Sequence, residues 1–182
     1  MNRAHFHRAH FHRAHWHRAA SPWWPWALAW LLPLAGCAQR FQAPGLGDQQ
    51  EPALSGDGRL LAMVAERGGR RSVRLVERLS GRELPLQGLQ RGQPHRSPSL
   101  SWNGRYLALI LQRDSRRDVV VLDRALGQLR PLPLPADRLP ERLSLSPDGR
   151  RLAIEVLRQG QLDVELFRIP AHEADLPPGT PL

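Results

Sequence analysis

The chain has 182 residues with 26 basic and 17 acidic side chains, a formal net charge of +9, and every one of the basic residues is arginine. That length holds one domain or two small ones and excludes a large multidomain enzyme. A single cysteine excludes a disulfide scaffold, while 41% hydrophobic residues with 17 prolines and 15 glycines fit a turn-rich globular domain and not a disordered or collagen-like chain. The complete lack of lysine points to a bias across the whole gene, so arginine fills cationic positions whether or not function needs them. Without the four arginines of residues 1–36 the charge falls to +5. The charge is therefore no argument for nucleic acid, and no nucleic-acid partner is expected.

Residues 1–22 form a basic run, residues 23–36 are apolar, and Cys37 follows at once. Fourteen apolar residues containing Pro25 and Pro33 are too few to span about 30 Å of hydrocarbon as a helix, and they suit the h-region of a signal peptide. Leu34-Ala35-Gly36-Cys37 resembles a bacterial lipobox, in which small residues admit the peptidase and the thiol takes the lipid. The plainer reading keeps Cys37 as a small buried hydrophobe beside an uncleaved anchor. The expectation is a signal peptide over residues 1–36 and a lipidated linker over 37–50. By resemblance to known lipoproteins, Ala38 in place of Asp implies a lipid anchor on the periplasmic side of the outer membrane. The leader itself repeats Arg-Ala-His-Phe-His at 3–7 and 8–12 and Arg-Ala-His-Trp-His at 13–17. Paired histidines two apart could share one side of a strand, but no Cys or carboxylate lies near to complete a metal site, and the run reads as a basic n-region.

Three later segments align without gaps: Pro-Ala-Leu-Ser-Gly-Asp-Gly-Arg-Leu-Leu-Ala from Pro52, Pro-Ser-Leu-Ser-Trp-Asn-Gly-Arg-Tyr-Leu-Ala from Pro98, and Leu-Ser-Leu-Ser-Pro-Asp-Gly-Arg-Arg-Leu-Ala from Leu143. Ser55, Ser101 and Ser146 are 46 and then 45 residues apart. Each unit reads as four short strands. The first is the Leu-Ser stretch, followed by a turn at Asp57-Gly58, Asn103-Gly104 or Asp148-Gly149, where glycine accepts positive φ. An apolar second strand covers 60–65, 106–111 and 152–157, a third 73–76, 119–122 and 164–169, and a short fourth 83–86 and 129–132. Helical periodicity is not evident after the leader.

A period of about 45 residues with four strands is what one propeller blade needs. The repeat closely resembles the TolB-type β-propeller repeat, a relative of the WD repeat, over about residues 50–177. The expected fold is all-β: three four-stranded antiparallel propeller blades at about 51–90, 97–136 and 142–177, then a tail at 178–182. The third repeat runs into Asp175-Leu176-Pro177-Pro178, where proline removes ladder donors, which predicts a blade short of its fourth strand. Closed propellers have about four to eight blades, so three leave the ring open. Either two chains complete a six-bladed ring as a homodimer, or the open array docks on another protein.

Catalytic motifs are missing: no Gly-x-Ser-x-Gly elbow, phosphate loop or His-Glu-x-x-His helix is present. Beyond the leader only His95 and His172 remain, and His95, near Ser97, reads as a solvated loop residue. The three repeated serines, with Asp57 and Asp148, read as turn formers, and no metal or cofactor is expected. One constellation stands out. The loops between second and third strands carry Arg67, Arg70 and Arg71, then Arg113, Arg116 and Arg117, then Arg158, on one rim with Arg91 and Arg96. This is either a solvated charged edge or a row of guanidinium forks for carboxylates or phosphates. Trp102, the sole tryptophan beyond the leader, takes a turn position where it could anchor a partner or cover its own blade.

These readings converge on a non-enzymatic envelope lipoprotein. The resemblance implies a protein partner in the periplasm or outer membrane. The alternative is a propeller that binds glycan or lipid headgroups through its arginine rim.

Overall fold

The computed structural model describes residues 47–89, 93–170 and 175, all within one compact unit spanning residues 40–182. The readings that rest on the signal peptide, the His-rich repeats, Cys37, Arg91 and His172 lie outside the described residues.

The described residues form three antiparallel sheets and no helix. Blade one is β1 (Gln49–Leu54), β2 (Leu60–Arg67), β3 (Arg70–Glu77) and β4 (Glu83–Leu84). Blade two is β5 (His95–Leu100), β6 (Tyr106–Arg113), β7 (Arg116–Asp123) and β8 (Gln128–Leu132). Blade three is β9 (Leu139–Leu145), β10 (Arg151–Arg158) and β11 (Gln161–Arg168), three strands among the described residues. Strands pair in chain order, and the first strands β1, β5 and β9 lie side by side. The partial all-β propeller expected from the repeats is the fold found. Two differences are local. The second and third strands of each blade run on to a two-residue hairpin tip, and β4 stops at Leu84, whereas β8 passes through Pro131, the position equivalent to Pro85, and continues to Leu132.

Period-two alternation explains the packing. In β6, Leu107, Leu109 and Leu111 join Leu60, Ala62, Val64 and Leu75 of blade one in one buried cluster. The intervening Tyr106, Ala108 and Ile110 join Leu152, Ile154 and Val156 of blade three in another. All six of these β6 residues are buried, so the middle sheet is covered on both faces. Burying each leucine contributes roughly 1.5–3 kcal/mol relative to exposure.

The turns between first and second strands form a repeated clip. Ser55 Oγ donates to Asp57 Oδ1 at 2.6 Å and accepts from Leu60 N–H at 2.9 Å, while Arg59 N–H donates to Asp57 Oδ1 at 3.0 Å. Ser146 and Asp148 repeat this, with Arg151 N–H on Ser146 Oγ at 2.9 Å and Arg150 N–H on Asp148 Oδ1 at 3.0 Å. Partial burial opposes ionisation of Asp148, but the bonds from Ser146 and Arg150 and the charges of Arg150 and Arg151 hold its carboxyl below the usual carboxylate range. Repeat two carries Asn103 instead, and its clip is completed from far along the chain. Asp175 Oδ2 accepts from Ser101 Oγ at 2.5 Å and from Asn103 N–H at 3.0 Å, and Asp175 N–H donates to Asp148 O at 3.1 Å.

The same turns join the blades. Asp57 N–H donates to Trp102 O and Trp102 N–H to Pro147 O, at 2.9 and 2.8 Å. Gly104 and Gly149 have φ of +74° and +72°, and a Cβ at either would lie 2.6 Å from Leu60 Cδ1 or 2.3 Å from Tyr106 Cδ2. Gly58 has the same φ class but nothing within 4 Å. Gly58→Ala should therefore cost only the left-handed backbone penalty, about 1–2 kcal/mol. Gly149→Ala should cost about 1–3 kcal/mol more, because the rigid Tyr106 ring must move. Urea denaturation of the two variants checks this, and equal losses would mean that the blade joint is not packed this tightly.

Candidate functional site

The tips of the β2–β3, β6–β7 and β10–β11 hairpins share one end of the blades, and the seven arginines singled out from the sequence all lie at or beside them. Arg67 sits directly opposite Arg70, and Arg113 opposite Arg116, like-charged pairs that weaken a hairpin. Most of the others are occupied. Arg71 bonds Glu66 at 3.1 Å, Arg113 lies 3.7 Å from Asp118 and Arg158 lies 3.6 Å from Asp163. Arg117 pairs with Glu141, which also lies 3.8 Å from Arg96. Arg70 and Arg116 have no ion pair among the described residues. The rim is thus a laced edge with two open guanidinium groups. Among the described residues, no three of His, Cys, Asp and Glu stand close enough to hold a metal ion.

Trp102 lies at the opposite end. It is half-buried, and its ring covers Gly56 of blade one, where a Cβ would come within 2.5 Å of Trp102 Cε3. The side chain spans the seam between blades one and two. It covers the neighbouring blade, not only its own.

His95 is not a solvated loop residue. It opens β5 and is 3% exposed. Its Nδ1 accepts from Val73 N–H at 3.1 Å, so the proton of the neutral ring sits on Nε2, which is buried without a partner. The cause is the short β4. In blade two, β8 reaches Leu132 and pairs it with Val119, but in blade one the strand ends too early to serve Val73, and the imidazole supplies the missing acceptor. Burial, with the charge of Arg74 nearby, lowers the His95 pKa from 6.5 to about 4.

The outward sheet of blade three has its pattern reversed. In β11, Asp163, Glu165 and Phe167 stand opposite the buried Val156, Ile154 and Leu152, on the face toward blade two. Leu162, Val164 and Leu166 alternate with them on the outward face and are 56%, 71% and 80% exposed. Arg138 pairs with Glu165 and Arg158 with Asp163, which makes room for the acids on the inner side. On blade one, Met63, Ala65 and Val76 belong to neither cluster shared with blade two, yet they are buried.

No protein-family profile and no curated protein sequence matches the chain. Solved structures do. TolB from Acinetobacter baumannii superposes with a TM-score of 0.56 at 16% identity, covering 70% of this chain and 31% of that one. A putative TolB from Agrobacterium tumefaciens gives 0.54 at 20% identity, covering 68% and 44%. Dipeptidyl peptidase 4 from Porphyromonas gingivalis gives 0.52 at 15% identity, covering 69% and 24%. At these identities the likeness establishes the propeller fold and nothing of activity, and this chain spans less than half the length of each.

The His95 geometry sets a pH dependence. With the folded pKa lowered, the stabilisation is complete above pH 6.5 and is lost as pH falls toward 4, about 3 kcal/mol in all. His95→Asn keeps an acceptor for Val73 N–H but does not titrate. The stability difference between wild type and variant, followed by chemical denaturation, should shift by that amount against the wild type between pH 7 and pH 4; a constant difference would show the imidazole to be accessible to water.

Proposed function

We propose that the chain is a lipid-anchored, non-enzymatic interaction module of the bacterial envelope, which docks a partner protein on the outward face of blade three. The observation that carries the docking reading is the inverted strand β11. A protein without a partner places Leu162, Val164 and Leu166 inside and Asp163 and Glu165 outside, and here the reverse holds. Ala153 and Leu157 pair with Leu166 and Leu162 on that face, with Glu155 opposite Val164 between them. Anchoring rests on the order of basic run, apolar segment and Leu34-Ala35-Gly36-Cys37. The resemblance of Ala38 to the residue that follows the cysteine in exported lipoproteins supports the periplasmic side of the outer membrane. The glycan or headgroup reading loses support from the ion pairs that occupy most rim arginines.

A second reading is a homodimer that closes a six-bladed ring. In its favour, the space beside Gly58, which Leu60 and Tyr106 fill at the next two joints, is empty. Against it, the residue that would enter that space is Arg151, and Met63, Ala65 and Val76 on the outward face of blade one are already buried, although Leu54 there is 54% exposed.

Two measurements test these readings. The mass of the mature protein from envelope should correspond to a chain that starts at Cys37 with acyl chains attached; a full-length unmodified chain overturns the anchor. A photo-reactive residue at position 164 should yield one dominant protein adduct, and Val164→Ser with Leu166→Ser should weaken capture roughly tenfold per side chain while leaving stability unchanged. Adducts only to the chain itself would establish the ring, and adducts only to lipid would overturn both.

A further inference from the structure

The outer edge of blade three is an open ladder. In blades one and two the third strand is closed on that side by β4 and β8, and where β4 falls short the Val73 N–H donates to His95. Strand β11 pairs with β10 alone among the described residues. Its eight residues pair without a bulge and contain no proline, so two devices that blunt an exposed edge are missing. A third device, inward charge, is present in Asp163 and Glu165 but is offset by Arg158 and Arg138.

The hairpin tip fixes which backbone groups face out. Gln159 and Gly160 both have positive φ, a two-residue turn whose closing pair, Arg158 and Gln161, exchanges hydrogen bonds, so by alternation Gln161, Asp163, Glu165 and Phe167 bond inward to β10. Ile169 N–H continues that series, donating to Arg150 O at 2.8 Å. The N–H and C=O of Leu162, Val164, Leu166 and Arg168 therefore point outward. Val164 holds the place in its repeat that Val73 and Val119 hold in theirs, yet its N–H has no acceptor among the described residues.

The side chains of the same four residues make one row. Leu162, Val164 and Leu166 are exposed, but behind Val164 stands Glu155 of β10 and behind Glu155 stands Arg142 of β9, so the apolar surface follows the outer strand and does not spread across the sheet. At the end of the row Arg168 lies opposite Arg151, a like-charged pair without an ion pair among the described residues. An added strand answers all three features, with backbone partners at every second residue, apolar contact along the row and a carboxylate for the two guanidinium groups.

We propose that the partner docked on blade three adds an extended segment to the edge of β11, antiparallel as β4 and β8 are in their blades, with an acid opposite Arg168 and apolar residues opposite Leu166, Val164 and Leu162. The segment reads acid-x-apolar-x-apolar-x-apolar. This rests on the docking of a partner protein at blade three and adds how that partner binds.

A labelled Glu-Thr-Val-Thr-Val-Thr-Val peptide, blocked at both ends, tests it against the full-length chain by fluorescence anisotropy. Arg in place of the Glu should weaken binding roughly tenfold or more, as should N-methylation of the central valine, whose N–H faces β11. N-methylation of the threonine before it, whose N–H faces away, should weaken binding far less. In the chain, Val164→Pro removes an outward N–H without touching the β10 ladder and should abolish binding, whereas Val164→Ile should keep it. Amide exchange of Leu162, Val164 and Leu166 should slow when the peptide binds, while Asp163 and Glu165, already bonded to β10, should not change. A peptide that fails to bind, or that binds without slowing those three amides, would overturn strand addition. Partner capture at position 164 that falls with Val164→Ser and Leu166→Ser but not with Val164→Pro would overturn it too and leave docking standing. Capture of no protein would overturn the docking reading and this one with it.

Discussion

A β-sheet can hide an apolar face only by laying it against another sheet, and in a row of three blades only the middle one is covered twice. Strand β6 shows what this demands, since its successive residues alternate between two separate cores, Leu107, Leu109 and Leu111 on one side and Tyr106, Ala108 and Ile110 on the other. The outer blades depend on that sheet, because each has its largest buried cluster against it. Their other faces have no such neighbour in the repeat, and they resolve the problem differently. Blade one buries Met63, Ala65 and Val76, whereas blade three leaves Leu162, Val164 and Leu166 in solvent.

The joints between blades are as specific as the cores. Glycine at 104 and 149 serves two needs at once, a left-handed turn and a surface without a side chain against which Leu60 or Tyr106 can lie. The Ser-Asp clip beside it ties the turn to the start of the second strand. Where repeat two lacks the aspartate, Asp175 supplies the carboxylate from the far end of the chain and ties the central blade to Asp148 of the third. A repeat weakened at one position is thereby held by a residue outside it.

The proposed docking face lies where the repeat breaks its own rules. The rim arginines follow the period and are mostly neutralised by neighbours, as expected of a solvated edge. The departures are local. A strand cut short after Leu84 leaves the Val73 N–H to a buried imidazole, and the last described strand carries its apolar residues outward. Neither recurs in the other blades among the described residues.

The letters alone determined the unit and its count. The Leu-Ser-x-Asp/Asn-Gly-Arg phase, the 46- and 45-residue spacing and the short strands between turns were enough for three blades, because turn chemistry is local and acts within a few residues. The tertiary structure decided what lay across blades. Asp163 and Leu162 are neighbours in the chain, and which of them meets blade two depends on pairing with β10. His95 looked like a loop residue because the N–H it serves, on Val73, is 22 positions away. Asp175 looked like the end of a failing repeat because Ser101, which it completes, is 74 positions away. Such contacts come from stacking sheets in space, and no local pattern encodes them.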